Sequence, residues 1–361
     1  MIKFFSFFKK KERFKNDSLY TITFQKFYSK KLNVFFLIFL VLIVLVSILG
    51  YLISPDNSPY ANHQNIEIAL QRPGFSVNFI KIKNQNTEDY NFFRTLLFGK
   101  PLKYDYIPIC KYKNDFESYD EIKSYVEKNN IERRLFLLGT DRFGRDVLSQ
   151  LIIGSRVSLS VGFIAVFISL LIGIFVGALG GYFGGYIDKI VVWLINVIWS
   201  IPTLFLVIAI TFALGRGFWQ IFIAVGLTLW VEIARLVRGQ VVSLREKEYV
   251  EAARALGFSH FRIITRHILP GIFGAVIVVS AANFASAILI ESGLSFLGIG
   301  IQPPMPSWGS MLKENYGFLI MDYAYLALAP GIAIMLLVLS FMIIGNGLRD
   351  AMDVKEISSI T

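Results

Sequence analysis

Six long apolar stretches divide the sequence, and polar or charged residues separate each from the next. Each stretch holds about 20 mostly apolar residues, the length that an α-helix needs to cross the hydrocarbon of a bilayer. They cover residues 32–53, 157–179, 187–214, 219–236, 271–290 and 325–348. The pattern predicts an all-α integral membrane protein with six transmembrane helices.

The first stretch has two interpretations, a cleaved signal peptide or a retained anchor. It is too long for the apolar part of a signal peptide, it begins after thirty residues, and no clear small-x-small cleavage site follows it. We therefore expect residues 32–53 to be a retained membrane helix.

The composition of the chain agrees with a membrane protein, because only 17% of the residues are charged, whereas a soluble chain has about a quarter.

The chain carries a formal net charge of +10, and the placement of its basic residues indicates topology. They flank the apolar stretches and form no stripe among aromatic residues, so no nucleic-acid partner is expected. The segment 1–31 is rich in lysine and arginine, with only Glu12 and Asp17 opposing them. Because cytoplasmic segments carry the excess of basic residues, we expect both termini, including the tail 354–361, to be cytoplasmic.

The segment 54–138, between the first two stretches, is then predicted to be a long external insert. Within it, residues 57–130 are expected to form a small subdomain or to be partly disordered. Residues 119–134 have the spacing of a short helix that Asp120 would cap.

Few residues are candidates for site chemistry. Cys110 is the only cysteine, and His63, His260 and His267 are far apart in the sequence, so neither a metal site nor a catalytic set is predicted. Gly173, Gly177 and Gly181 have the spacing of close helix packing.

Three residues within or beside the apolar stretches are candidate pore or gating residues. Pro202 should kink or break its helix, either to line a cavity or simply as a packed kink. Asn283 and Glu291 are polar residues at or near membrane depth, where polar groups tend to be functional.

The segment 244–270, LREKEYVEAARALGFSHFRIITRHILP, carries the strongest signal. Its first half predicts a helix that ends at Gly257, with an apolar face made of Tyr249, Ala252, Ala253 and Leu256. Ser259 should cap a second helix that ends at Pro270. Two short amphipathic helices joined at a glycine can lie in a groove of a partner protein or on lipid headgroups.

This segment resembles the EAA loop of binding-protein-dependent ABC importer permeases. The matching residues are Glu251, Ala252, Ala253, Gly257, Ile268, Leu269 and Pro270. The resemblance implies that this loop docks on an ATPase subunit and transmits its movement. Glu251 would either pair with a basic group on the ATPase or hold the fold of the loop itself.

Further motifs are similar to one branch, the dipeptide/oligopeptide/nickel permeases of the DppC/OppC type. They are GTDRFGRDVL at 139–148, GGYFGG at 180–185, IP at 201–202, ARLVRG at 234–239, ESGLSFLG at 291–298 and GLRDAMD at 347–353. The resemblance covers a permease core at 139–353 and the first span, and the insert is longer than is usual in this branch. It implies a bacterial inner-membrane location and four kinds of partner: a second homologous permease, two ATP-binding subunits, an external substrate-binding protein and membrane lipid.

The sequence contains no G-x-x-x-x-G-K-[ST] motif, so ATP would be bound and hydrolysed by partner chains, and no cofactor is expected on this one. The predicted function is therefore a non-catalytic permease subunit of an ATP-driven importer of short peptides. Nickel or another small solute is the alternative substrate. An ion channel and a membrane-anchored enzyme are the other classes considered, but neither a pore motif nor a nucleophile–base set supports them.

Overall fold

A computed structural model of the chain describes residues 19–83, 90–109, 131–215 and 217–352. Its α-helices are α1 (Leu19–Ser29), α2 (Lys31–Ile48), α3 (Gly50–Ile53), α4 (Phe92–Phe98), α5 (Val147–Phe183), α6 (Gly185–Trp199), α7 (Thr203–Leu214), α8 (Phe218–Arg245), α9 (Glu248–Ala255), α10 (His260–Ile263), α11 (Leu269–Phe296), α12 (Trp308–Asn315) and α13 (Tyr325–Met352). The strands are β1 (Phe75–Lys83), β2 (Tyr104–Pro108) and β3 (Ile131–Phe136). The predicted helical fold class is confirmed, with a small sheet added.

Within the described ranges, five helices are long and apolar enough to cross a membrane: α2, α5, α8, the continuous helix His260–Phe296 and α13. The third predicted span is instead broken into α6 and α7, which meet at an angle of 93°. Pro202 stands at this break, directly before α7. Proline has no amide hydrogen to donate and clashes with the preceding turn, so the helix cannot continue straight through it. The predicted break at Pro202 is confirmed.

The chain forms two compact units. The first comprises Met1–Val41, Val161–Ile290 and Leu336–Thr361, and the second comprises Leu42–Ser160 and Glu291–Met335. In the first unit α5 packs closely on α8. A side chain at Gly173, Gly177 or Gly181 would come within 3 Å of backbone oxygens of α8. The predicted close helix packing at these glycines is confirmed.

The second unit contains an antiparallel sheet with the strand order β2-β1-β3. Phe79 of β1 and Phe136 of β3 form an apolar cluster with Ile68, which precedes the sheet. On β3, Glu132 accepts a hydrogen bond from Lys81 at 2.6 Å. Burial alone would raise the pKa of Glu132, but Lys81 and Arg134 hold that pKa below its usual value. The segment between the first two spans is therefore folded where the structure describes it.

The helix predicted over residues 119–134 is wrong for its last four residues, which belong to β3. Pairing with β1, in which Ile80 faces Ile131 and Phe79 faces Glu132, imposes the extended conformation there. A local helical spacing cannot anticipate this, because the pairing partner lies some fifty residues earlier. The rest of that prediction and Cys110 lie outside the described residues, as do the segment 1–18 and the tail 354–361.

Candidate functional site

The segment between α8 and α11 folds as a helix, a glycine turn and a second helix. The helix α8 extends to Arg245, and α9 starts only at Glu248, after a short break. Gly257 has a φ of +75°, a left-handed conformation that glycine adopts without steric cost. The Gly257 amide donates a hydrogen bond to the Arg254 carbonyl at 2.9 Å, and the Phe258 amide donates to the Ala253 carbonyl at 3.1 Å. The predicted glycine stop is confirmed.

The second helix begins as predicted but does not end at Pro270. The Ser259 hydroxyl accepts a hydrogen bond from the Arg262 amide and caps α10. The chain then continues through a π-helical turn, Ile264–Ile268, directly into α11. Pro270 lies in the first turn of α11, so the predicted stop is wrong. In the π-turn each backbone hydrogen bond spans five residues instead of four, and Pro270 comes directly after it. A proline is tolerated in the first turn of a helix, so the helix continues past Pro270 without a break.

One side of the loop is buried against the spans of the first unit. Val250, Ala253, Ile263 and Ile268 join an apolar cluster with residues of α5, α8 and α11. Of the predicted apolar face only Ala253 is buried, and Ala252 is exposed. Tyr249, Ala252 and Leu256 of that face are thus exposed, and Ala253 packs inward. The branched Val250 fits the cluster, and its burial turns Tyr249 and Leu256 outward.

The opposite side of the loop is exposed and mixes acidic with apolar side chains. Tyr249, Leu256 and Phe261 are 46%, 73% and 77% exposed. Glu248, Glu251 and Ala252 are exposed beside them. We call these six residues the coupling surface. No ion pair involves Glu251 within the described part of the chain.

Polar contacts fasten the loop to the ends of neighbouring helices. The Tyr182 hydroxyl lies 2.9 Å from Nδ1 of His260 and joins α5 to α10. The guanidinium of Arg245 donates to the Gly181 carbonyl at 2.9 Å. Both contacts lie in the GGYFGG region, whose sequence by itself indicates only a turn. A displacement of the loop would therefore also move α5.

The helix α6 is attached to α8 by an ion pair that the sequence motifs do not reveal. Arg238 donates to both carboxylate oxygens of Asp188, at 2.5 and 2.7 Å. Two parallel hydrogen bonds of this kind fix orientation as well as distance. One sequence feature could have indicated this pair, because Asp188 is an acidic residue in the first turn of α6.

The three candidate pore residues have different surroundings. Pro202 is exposed at the bend between α6 and α7. Asn283 is buried and donates to the Leu229 carbonyl at 3.2 Å, but its side-chain oxygen has no partner in the described residues. Glu291 is fully buried and accepts a hydrogen bond from Ser295 at 2.8 Å. The Ser295 hydroxyl in turn accepts from the Ile301 amide at 3.2 Å, so Glu291 organises the chain that follows α11.

The GTDRFGRD motif forms a buried charge network in the second unit. Arg145 donates to Asp141 at 2.6 Å and to Glu314, on α12, at 2.5 Å. Next to it lies a cavity of about 380 Å³, whose lining includes Arg142 and Lys313. Glu314 was not singled out from the sequence, because its partner lies 169 residues away.

Comparison with known proteins identifies the class. Residues 159–354 match the family model described as "binding-protein-dependent transport system inner membrane component", and residues 18–73 match the "N-terminal TM domain of oligopeptide transport permease C". The chain belongs to this family of inner-membrane transport components. The predicted family is confirmed, and the chain is a permease subunit.

Several curated relatives are similar over about two thirds of this chain. The dipeptide transport system permease DppC of Alkalihalophilus pseudofirmus is 43% identical over 60% of this chain and 71% of its own length. The oligopeptide permease OppC of Salmonella typhimurium is 46% identical over 60% and 72%. The glutathione permease GsiD of Shigella flexneri is 39% identical over 67% and 78%. A solved MetNI methionine ABC transporter chain aligns with 56% of this chain and 96% of its own length, at 20% identity and a TM-score of 0.46.

Proposed function

We propose that this chain forms the translocation path for short peptides together with a second homologous permease. Two separate ATPase subunits drive it, and an external binding protein delivers the substrate. The relatives described above are named for dipeptides, oligopeptides and glutathione, itself a short peptide, and none of those three is named for nickel. Peptides are therefore favoured over nickel as the substrate.

The observation that carries the proposal is the coupling surface. A short water-facing loop in a monomeric protein seldom exposes three large apolar side chains, and clustered groups of this kind mark an interaction site. Glu248 and Glu251 among these side chains can pair with basic residues of a partner, although Arg254 and Arg262 are also exposed on the loop. Because Glu251 forms no ion pair within the described residues, its carboxylate is available to pair with the ATPase. This favours ATPase contact over a role in the fold of the loop.

Buried contacts explain how movement of the ATPase would reach the membrane. Val250 and Ala253 are packed on α8 and α11 through their apolar cluster. The Tyr182–His260 contact connects the loop to α5. Because packed elements move as units, displacement of α9 would rock these spans together.

Pro202, Asn283 and Glu291 are the residues that we propose for the pore or its gating.

The orientation follows from the same surface. ATP-binding subunits act from the cytoplasm, so α9 and α10 face it. The basic residues Lys247, Arg254, Arg262 and Arg266 around the loop agree with that side. With six spans, both termini are then cytoplasmic, and the sheet and α12 face outward.

Reversing the charge of Glu251 is expected to detach the ATPase. The variant Glu251→Lys would be co-expressed with its genomic neighbours, solubilised and purified through a tag on this chain. A loss of about 1.4 kcal/mol in binding free energy raises the dissociation constant tenfold; we expect at least that loss, and therefore less retained ATPase. The second permease should still co-purify.

Glu246→Lys is the matched control, because Glu246 is an exposed acid just before α9, outside the coupling surface, and its contact with Arg245 is a loose one at 3.8 Å. It should retain the ATPase like the wild type. If Glu251→Lys retains as much ATPase as the wild type, the ATPase docks elsewhere. A wild-type chain that purifies without any ATPase would contradict the importer assignment, and peptide-stimulated ATP hydrolysis by the intact complex would support the substrate class.

A further inference from the structure

The short helix α4 exposes four large apolar side chains, which is unusual for a helix of seven residues that faces water. Its sequence is FFRTLLF. Phe93 and Leu97, one helical turn apart, are 75% and 56% exposed, and Phe92 and Phe98 beside them are exposed to a similar degree. Only Thr95 is buried. Four large exposed apolar side chains on so short a helix form an apolar patch that indicates an interaction surface.

The position of α4 indicates what covers this patch. The helix packs on α3, which follows the first membrane span after one residue. The side chains of Ile48, Leu52 and Ile53, at that end of the span, are also exposed. The apolar patch of α4 therefore lies beside the end of the first span, next to other exposed apolar side chains.

The backbone of α4 is held firmly in this place. Arg156 donates to the Leu96 and Leu97 carbonyls at 3.0 and 3.3 Å and so satisfies the end of the helix. Gly99 has a φ of +81°, and a side chain there would clash with the Asn57 carbonyl and the Tyr51 ring. The Lys100 amide donates to the same carbonyl at 2.8 Å. The exposed side chains are thus presented by a rigid support.

The flanking charges suit a membrane interface. Lys100, just after α4, is exposed, and the guanidinium of Arg94 lies 3.8 Å from the centre of the Tyr90 ring. A long basic side chain such as that of Lys100 can reach lipid phosphates, and aromatic residues concentrate at the depth of the headgroups. Helices with one apolar face and basic edges lie in the plane of the interface.

We propose that α4 is an interfacial anchor whose Phe92, Phe93, Leu97 and Phe98 side chains insert among the lipids beside the end of the first span. The occupant of the patch is lipid, not a protein. Because α4 is tied to residues 51–57 and to α5 in the second unit, insertion would fix that unit at a set height on the membrane surface. The inference does not depend on the substrate or on the ATPase.

Site-directed fluorescence on the whole transporter tests this. With Cys110 replaced by serine, single cysteines at Phe93 and Leu97 would carry an environment-sensitive dye in proteoliposomes of the co-purified complex. Quenchers attached to lipids near the headgroups should extinguish both labels, and aqueous iodide should not. Leu135→Cys is the matched control, since Leu135 is an apolar residue of β3 that is 53% exposed, and its label should respond only to iodide. Leu45→Cys in the first span is the lipid-exposed reference and should favour quenchers deeper in the acyl chains.

Two results would overturn the proposal. Labels at residues 93 and 97 that behave like the label at 135 would place α4 in water. Labels shielded from both quenchers would show that another protein, such as the partner permease or the binding protein, covers the patch. The readout is local to α4, so failure here leaves the peptide-importer assignment standing.

Discussion

Replacing Gly257 with valine is expected to uncouple ATP hydrolysis from transport. The residue has a φ of +75°, and no other atom lies near the position of an added Cβ, so the penalty would come from the backbone alone. A left-handed conformation costs an L-residue roughly 1–2 kcal/mol, and branching at Cβ adds to this. The turn would relax toward negative φ and change the direction of α9 relative to α10. The coupling surface would then meet the ATPase in the wrong orientation.

The measurement is the number of ATP molecules hydrolysed per peptide transported, in proteoliposomes of the complete transporter. Because that penalty of roughly 1–2 kcal/mol falls on the turn conformation that orients α9, we expect transport to fall by roughly five- to thirtyfold, while ATP hydrolysis persists. Gly257→Asn is the matched control, because asparagine tolerates the left-handed region better than other side chains. It should transport nearly normally. Unchanged transport by the valine variant would show that the turn has no part in coupling.

Replacing Glu291 with alanine should destabilise the protein strongly, whereas glutamine should be tolerated. Glu291 is fully buried and bonded to the Ser295 hydroxyl, which also fixes the Ile301 amide. Alanine removes the acceptor, and a buried polar group left without its partner costs about 1–3 kcal/mol. Glutamine keeps an amide oxygen in the same place and can still accept from Ser295. The two substitutions therefore separate hydrogen bonding from charge.

Thermal unfolding of the purified complex and peptide uptake are the two readouts for Glu291. The alanine variant should unfold at a lower temperature, and the glutamine variant should match the wild type in both assays. If the glutamine variant is stable but does not transport, the negative charge itself is needed. Glu291 would then be a pore or gating residue and not a positioning residue for the segment after α11.

Residues close together in the sequence specify much of this protein. Length and apolarity are properties of a single stretch, so five spans could be predicted without knowing their neighbours. The break at Pro202 and the turn at Gly257 follow from the backbone limits of those two residues. The EAA-like loop places several such features at a fixed spacing, which is why its sequence by itself indicates the family.

Other features depend on partners far away in the chain, and these only the tertiary structure decided. The sheet needs β1 to pair with β3, and that pairing made a strand of residues that locally resemble a helix. Which side of α9 is buried was decided by the cluster on α8 and α11, which prefers Val250 to Tyr249 and Leu256. The Arg145–Glu314 and Arg238–Asp188 pairs join residues 169 and 50 positions apart. Local sequence limits the conformations that the backbone of a segment can adopt, whereas burial and long-range pairing select among them, because their free energies arise only when distant segments meet.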